Sequence, residues 1–228
     1  MSEREHTSKN FEQQLRTLKD KLLLMGHHAE KMIADAIHAL VERRPSLAEE
    51  VIKSDDTLDQ LELEIDNLCY EVLALEQPVA RDLRFIATAL KIVRDIERIG
   101  DIAVNIAERA RELIQEPVLK RLIDFPIMAA ASQRILKDSL DAFVNSDAEL
   151  AEKVIRDDRT IDDLYEQMFR ELLTYMMEDT RYISRALKLI FIAKHLERVG
   201  DHSSNIAEMV IFLVRGQDIR HGTRIDRG

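Results

Sequence analysis

The sequence predicts an all-α protein made of two tandem antiparallel three-helix bundles that are related by internal duplication. Glycine (6) and proline (4) are scarce among the 228 residues, which excludes turn-rich all-β chains and Gly/Pro-rich disordered chains. Most of the other residues are good helix formers. Apolar residues recur at alternating spacings of 3 and 4, as on the buried face of a helix in a bundle. A motif that returns 100 residues later indicates the duplication.

The internal repeat is clearest in two acidic blocks. The block ERIGDIAVNIAE begins at Glu97 and the block ERVGDHSSNIAE at Glu197, and the two are identical at eight of twelve positions. Farther upstream, VIKSDDTLDQL from Val51 resembles VIRDDRTIDDL from Val154. We predict a first repeat over residues 1–116 and a second over residues 117–228, joined by the proline-flanked segment PVLKRLIDFP.

Each repeat is predicted to fold as three amphipathic helices. In the first repeat the helices cover about residues 10–43, 46–77 and 79–115, and the second repeat follows the same plan. The second helix is predicted to open at a capping box formed by Ser46 and Glu49. Its apolar seam consists of Leu58, Leu61, Ile65, Leu68, Val72 and Leu75.

The charge balance and the cysteine content restrict the setting of the protein. Asp and Glu number 43 against 33 Lys and Arg, which gives a net charge of −10 without a long basic run, so we expect no nucleic-acid partner. Cys69 alone cannot form an intramolecular disulfide, which favours a reducing compartment. No apolar run approaches the ~20 residues that cross a bilayer. We therefore expect a cytoplasmic protein that reaches a membrane only through partners.

The third helix of each repeat becomes acidic where its apolar seam should continue. In the first repeat Glu97 and Asp101 are one turn apart and share one face of the helix. The second helix offers a matching strip, with Asp55 and Asp59 at the same spacing. The second repeat keeps both pairs. The candidate ligands are Glu97, Asp101, Glu197, Asp201, Asp55, Asp59, Asp158 and Asp162, with Asn105, Glu108, Asn205 and Glu208 as accessory candidates.

These carboxylates predict a metal site. Uncompensated carboxylates near one another raise each other's pKa and are costly to desolvate, and a divalent or trivalent cation would relieve that repulsion. Oxygen ligands favour hard cations such as Mg²⁺, Ca²⁺, Mn²⁺ or iron over a tetrahedral Cys/His zinc site. The residues by themselves do not choose among Mg, Mn, Fe and Zn.

The same residues allow a plainer interpretation, in which surface ion pairs satisfy the carboxylates. Arg94 and Arg98 lie three residues before Glu97 and Asp101, and Lys194 and Arg198 take the same places in the second repeat. The duplication favours a site, because both repeats keep the acidic block while neighbouring positions differ. Gly100 and Gly200 favour it too, because a mid-helix glycine costs about 1 kcal/mol relative to alanine and indicates the close approach of another backbone or of a ligand.

At the acidic blocks the sequence resembles the PhoU family of bacterial phosphate-uptake regulators. The resemblance covers nearly the whole chain and includes the C-terminal stretches LLTYMMEDTRYISRAL and VRGQDIRH. It implies a non-enzymatic regulator that binds metal clusters through paired E(D)xxxD motifs. Carried over by position, these motifs are Glu97/Asp101, Glu197/Asp201, Asp55/Asp59 and Asp158/Asp162.

The resemblance also implies a role and partners. Members of the family hold phosphate-starvation signalling off when phosphate is ample and curb phosphate uptake. They link the phosphate ABC transporter to its sensor histidine kinase. The expected partners are therefore the ATPase subunit of that transporter and the phosphate-sensing kinase, and a homodimer is expected.

Two other classes of protein are compatible with an acidic helical bundle. A carboxylate-bridged di-metal enzyme would need a Glu-x-x-His pair on each of two helices, whereas His195 and His202 stand at −2 and +5 from Glu197. The one Glu-x-x-His is formed by Glu3 and His6, in the polar N-terminal segment. His195 and His202 are interpreted as solvated side chains, with accessory ligands as the alternative. A metal-free helical adaptor would simply leave the acidic stripes solvated.

Overall fold

The computed structural model of the protein describes residues 2–78 and 80–216. These residues form six α-helices, a 3₁₀ turn at Thr180–Tyr182 and no strand, which confirms the predicted all-α class. The first helix begins earlier than predicted, because the polar N-terminal segment continues it. The helices are α1 (Ser2–Glu42), α2 (Pro45–Glu76), α3 (Ala80–Ile114), α4 (Asp124–Asn145), α5 (Ala148–Glu178) and α6 (Ile183–Arg215).

The start of α2 differs from the predicted capping box. The helix begins at Pro45, after Arg44 in an extended conformation that makes no side-chain capping hydrogen bond. Proline suits the first helical position because its φ is already near the helical value and it lacks an N–H that would go unpaired there. The prediction of a capping box formed by Ser46 and Glu49 is therefore wrong, since Ser46 lies inside the helix. The start of α5 is capped by Asp147, whose carboxylate accepts two backbone N–H bonds.

Within each repeat the three helices pack against one another. α1 contacts α2 and α3, α2 contacts α3, and the same contacts join α4, α5 and α6. Two polar contacts give the direction of the first pair: Lys21 Nζ binds Glu64 Oε2 at 2.6 Å, and His28 Nε2 lies 3.0 Å from the carbonyl oxygen of Ser54. Since residue numbers rise along α1 as they fall along α2, the two helices are antiparallel.

The two bundles lie side by side and share one apolar core. α1 packs against α4 and α3 against α6, while α2 and α5 contact only elements of their own repeat. Gln133 Nε2 donates to the Glu30 carbonyl at 2.7 Å, and Lys19 Nζ donates to the Val144 carbonyl at 2.8 Å, so α1 and α4 are antiparallel as well. The buried apolar side chains of both repeats form one continuous cluster. The α3–α6 pair is thus internal to the fold, and α2 and α5 flank it.

Aromatic and sulfur-containing side chains help to fill this core across the two repeats. The rings of Phe85 in α3 and Phe143 in α4 stack with their centroids 4.5 Å apart, an arrangement worth about 0.5–1.5 kcal/mol beyond area burial. Cys69 is fully buried, and burial raises the pKa of its thiol to about 12. The thiol is therefore protonated at neutral pH and fills space, as predicted for a core residue.

Residues 115–123 connect α3 to α4 without forming a helix. Arg43 Nη2 donates to the carbonyl of Glu116 at 2.8 Å, and Arg185 Nη1 donates to the carbonyl of Pro117 at 2.9 Å. Arginines from both repeats thus hold the connection in place. The predicted boundary between residues 116 and 117 lies in this segment, and the division of the chain there stays a prediction.

We expect Gly26→Val to weaken the contact between the two bundles. A Cβ atom at Gly26 would lie 2.0 Å from Cδ1 of Leu140, which is itself buried. Overpacking of this kind costs about 1–3 kcal/mol, and urea unfolding followed by circular dichroism measures the loss.

Two further variants test the cause of that loss. The double variant with Leu140→Ala should lose less stability than the two single changes added together, because the second change makes room for the first. The control Ala130→Val, at an exposed position of α4, should cost less than about 1 kcal/mol. Equal losses for Gly26→Val and Ala130→Val would contradict the close packing of α1 on α4.

Candidate metal centre

The pairing of the second and third helices places the eight predicted carboxylates in two groups. In the first repeat, Asp55 interacts electrostatically with Asp59 on its own helix and with Asp101 across the interface, and Glu97 interacts with both Asp101 and Asp59. We call these four side chains the first carboxylate cluster. The second carboxylate cluster consists of Asp158 and Asp162 on α5 with Glu197 and Asp201 on α6.

A glycine sets the helix approach at the first carboxylate cluster. A Cβ atom at Gly100 would lie 2.1 Å from Cδ2 of Leu58 and 3.5 Å from Oδ1 of Asp55. Only the absence of a side chain lets the fully buried Leu58 pack here. A close approach exists at this mid-helix glycine, but the approaching group is a side chain of α2, not the backbone or ligand that we predicted.

The second carboxylate cluster has the same construction with a polar contact in place of the apolar one. A Cβ atom at Gly200 would lie 2.2 Å from Oδ1 of Asp158. The other oxygen of that carboxylate accepts a 2.8 Å hydrogen bond from Ser204 Oγ. The Asp158 carboxylate is thus held against the backbone of α6 between a glycine and a serine.

Burial and like charge act together on these carboxylates. Burial raises the pKa of Asp55, and the charges of Asp59 and Asp101 raise it further. Burial likewise raises the pKa of Glu97, with a second contribution from Asp101. The first carboxylate cluster therefore holds charge that its surroundings oppose.

The increase in carboxylate pKa is larger in the second carboxylate cluster. Burial raises the pKa of Asp158 to about 6, and the neighbouring Asp162 and Asp201 add to the increase although the bond from Ser204 lowers it. Burial and then Asp201 also raise the pKa of Asp162. These shifts follow from two acidic helix faces being pressed together.

Ion pairs satisfy the clusters only in part, so the plainer interpretation holds for some residues. Arg98 lies 3.1 Å from Oδ2 of Asp101 and 3.5 Å from Oε2 of Glu97. In the second repeat Lys194 Nζ binds Oε1 of Glu197 at 2.6 Å. The other oxygen of Glu197 is buried and has no hydrogen-bond partner among the described residues. Over the described ranges, each cluster thus has one ion-paired basic side chain for four carboxylates.

The donor set fits an oxygen-binding cation in its chemistry but is not closed around one. In the described part of the chain, no three His, Cys, Asp or Glu side chains converge closely enough to hold a metal ion. The carboxylates are nevertheless within interaction range across each helix pair, and the buried oxygen of Glu197 is an unused acceptor. Several oxygens would have to move closer together to coordinate one ion.

The accessory candidates lie farther along the third helices. Asn105 is exposed and donates its Nδ2 to the backbone carbonyl of Asp101 at 2.7 Å, so that donor is used within α3. Glu108 and Asn205 are exposed, and Glu208 is half-buried and already engaged with a neighbour. Among the described residues, Asn105, Glu108 and Asn205 make no hydrogen bond to a cluster carboxylate side chain.

The two histidines near the second block are not solvated, so that prediction is wrong. His202 Nδ1 lies 2.8 Å from Oδ1 of Asp95 and joins α6 to α3. Burial lowers the pKa of His195 to about 4, and the charges of Arg198 and Arg109 lower it further. His202 thus contacts α3, and His195 lies within electrostatic range of Arg109 on α3. Both histidines interact with residues of α3 because α3 packs against α6. This is a long-range contact that local sequence does not show.

This placement also bears on the di-metal enzyme. His28 of α1 lies near enough to Asp55 to lower the pKa of that carboxyl in part, against the effect of burial. However, Met25 stands three residues before His28, whereas the di-metal class requires a Glu-x-x-His pair on two helices. The side chains of Glu3 and His6 lie outside those that the structure describes.

Sequence reasoning missed Ser204, which bonds to Asp158. The first repeat has Val104 at the matching position, so comparison of the two repeats pointed away from a shared polar role. The pair formed by Asp95 and His202 was missed for a similar reason, since their matches in the other repeat are His195 and Ile102. Such contacts depend on how the two bundles dock.

The fold and the two clusters define an all-helical protein of two repeats, each with carboxylates between its second and third helices. The PhoU domain matches residues 22–110 and 125–210, and the chain belongs to this family. The sequence is 44% identical over 217 residues to a Pseudomonas aeruginosa protein named phosphate-specific transport system accessory protein PhoU homolog, covering 95% of this chain and 90% of the relative. It is 35% identical over 224 residues to the phosphate-specific transport system accessory protein PhoU of Escherichia coli. That alignment covers 97% of this chain and 93% of the relative.

Solved structures give the same result. The crystal structure of PhoU from Pseudomonas aeruginosa superimposes with a TM-score of 0.85 at 43% identity, covering 91% of this chain and all of that one (100%). The phosphate transport system regulatory protein PhoU from Streptococcus pneumoniae gives a TM-score of 0.84 at 28% identity, covering 92% and 99%. Three of these four names describe an accessory or regulatory protein, and none of the four is that of an enzyme.

We expect Asp158→Asn to stabilise the metal-free protein at pH 7. The pKa of Asp158 in the folded state, about 6, lies above its ordinary value of 3.8, so the folded protein binds the proton more tightly than the unfolded chain does. Stability from this group is therefore present below about pH 4 and is lost as the pH rises through about 6. Allowing for solvent screening, the gain at pH 7 is roughly 1 kcal/mol, and it should shrink toward pH 4.

Chemical denaturation in the presence of a chelator, at several pH values, measures this gain. The matched control is Asp157→Asn, which removes a carboxylate 3.7 Å from Lys153 Nζ and so should bring no gain. A variant Asp158→Asn that is less stable than wild type at pH 7 would show that the charged form of Asp158 is favoured by the fold.

Proposed function

We propose that this protein is a cytoplasmic regulator of phosphate homeostasis that represses phosphate uptake and the phosphate-starvation response while phosphate is ample. The observation that carries the proposal is the match to the PhoU domain over both repeats. Relatives across nearly the whole chain are named phosphate-specific transport system accessory proteins. No helix of the described residues is both long and apolar enough to span a membrane, so we expect the protein to act on membrane components by binding them.

The partners that fit this role are the ATPase subunit of the phosphate ABC transporter and the phosphate-sensing histidine kinase. Family resemblance supports this pairing, since a protein that links the two would couple transport to signalling. The role requires binding surfaces rather than catalysis, and the relatives are named as accessory and regulatory proteins. We propose a non-enzymatic protein that works as a homodimer.

The carboxylate clusters are proposed as metal sites within that regulator. Two acidic faces oppose each other in each repeat, and one basic side chain at each does not neutralise them. A bound cation would supply positive charge between the second and third helices. Asp55 and Asp59 would then be held toward Glu97 and Asp101, and the second carboxylate cluster would be held in the same way. We propose that a cation bound in this way holds the second and third helices together and so fixes the helix face that partner proteins recognise.

Deletion of the gene should raise the phosphate-starvation response in phosphate-rich medium. The expected result is constitutive activity of a reporter placed behind a starvation-induced promoter, with repression restored by a plasmid copy of the wild-type gene. The Asp101→Ala, Asp201→Ala double variant, expressed to the same level, should fail to restore full repression. Unchanged reporter activity after deletion would reject the regulatory proposal, whatever the clusters bind.

Metal content and stability test the clusters directly. Protein purified without chelator should contain metal in stoichiometric amount by elemental analysis, and that content should fall in the Asp101→Ala, Asp201→Ala variant with little change in helix content. Chelation should lower the melting temperature of wild type, because bound ligand stabilises the folded state by mass action.

The control for this experiment is Glu50→Ala with Glu178→Ala, which removes two exposed carboxylates outside both clusters and should leave the metal content unchanged. Wild-type protein that neither contains nor binds Mg²⁺, Mn²⁺, iron or Zn²⁺ would favour the metal-free adaptor instead.

A further inference from the structure

A cleft lies between α3 and α6 at the end of the pair where α3 begins and α6 ends. One cavity there, of about 310 Å³, is lined by Arg81, Arg84, Ser146, Leu213 and Val214. A second cavity of about 80 Å³ continues it along the same two helices, with Arg84 common to both and Lys91 at its far side. We call this surface the basic cleft. It is separate from both carboxylate clusters, which lie between α2 and α3 and between α5 and α6.

One wall of the basic cleft carries unneutralised positive charge. Arg81, Arg84 and Lys91 are exposed, and none of the three forms an ion pair with a described residue. Three free cations along about 15 Å of one helix are unexpected in a chain of net charge −10. The second repeat differs, since Arg181, the match of Arg81, binds Asp179 at 2.5 Å.

The opposite wall is apolar. Phe212 is 36% exposed and Val214 43% exposed, while Met209 and Leu213 are almost buried beneath them. The cleft therefore offers an apolar floor along α6 and a row of cations along α3. A segment that matches both walls must be acidic on one side and apolar on the other.

Other occupants match the basic cleft less well. The residues that follow α6, 217–228, contain three arginines and two aspartates, so their charge does not complement that of the cleft. An anionic bilayer is flat, and a concave cleft between two helices exposes its apolar floor poorly to a flat surface.

We propose that the basic cleft of Arg81, Arg84 and Lys91 with Phe212 and Val214 docks an acidic amphipathic segment of a partner protein. The proposal deepens the proposed function, because it rests on the protein acting through protein partners and states the chemistry that one of them presents. Apolar side chains of the segment would enter the cavities against α6, and its carboxylates would pair with the three cations of α3. The charged row would also draw the segment in from solution, so binding should weaken as salt screens it.

The test measures binding of a defined peptide to the full-length protein by fluorescence anisotropy. The probe is a labelled helical peptide of about 14 residues, long enough to span the row of cations, with leucine at helical spacing on one face and glutamate beside it. A second peptide replaces each leucine with glutamine and keeps the charge. We expect the first peptide to bind wild type and the second to bind roughly tenfold more weakly.

Charge-reversal variants locate the binding surface. Arg81→Glu with Arg84→Glu should weaken binding of the first peptide by roughly tenfold or more, and Val214→Glu should weaken it as well. The control Arg16→Glu with Arg156→Glu changes the net charge equally at two exposed positions on other helices, and it should leave affinity within about twofold. Circular dichroism confirms that each variant is folded.

Four outcomes would overturn the proposal: no binding of the first peptide, equal binding of the glutamine peptide, equal weakening by the control variant, or binding of phosphatidylglycerol-containing vesicles in place of the peptide. A homodimer that dissociates in the Arg81→Glu, Arg84→Glu variant would assign the cleft to a second copy and overturn it too. The peptide assay involves no phosphate and no gene regulation, so its failure is distinguishable from failure of the reporter experiment.

Discussion

The close approach of the second and third helices in each repeat is the constraint on which the candidate site depends. Gly100 and Gly200 allow this approach, since a Cβ atom at either position would overlap Leu58 or Asp158. Each glycine weakens its own helix by about 1 kcal/mol relative to alanine. In return the two acidic faces meet at short range, and the carboxylates of one helix lie against the backbone of the next.

That approach places like charges together, and the protein offsets them incompletely. Arg98 pairs with both carboxylates of α3, whereas Lys194 reaches one oxygen of Glu197 and leaves the other buried without a partner. Mutual repulsion and burial raise the pKa of Asp158 most, to about 6. The two clusters therefore have the same construction, but the pKa is raised most at Asp158 in the second cluster.

The docking of the two bundles creates a second set of contacts, made along α3 and α6. Asp95 and His202 join the middle of this pair, and Arg109 lies over the ring of Phe191, 4.8 Å from its centroid, toward one end. The other end opens into the basic cleft. Acidic and basic surfaces thus lie in different helix grooves of a single rigid core.

Local sequence determined the helices, the duplication and the acidic faces, because helix periodicity and repeat spacing are properties of the chain within a few turns. It placed Asp55, Asp59, Glu97 and Asp101 on facing strips, and it identified Gly100 as a point of close contact. It did not reveal the bond from Ser204 to Asp158, the pair of Asp95 with His202 or the basic cleft. Those depend on the rotation and register of helices far apart in sequence, which only packing of the two bundles into one core decides.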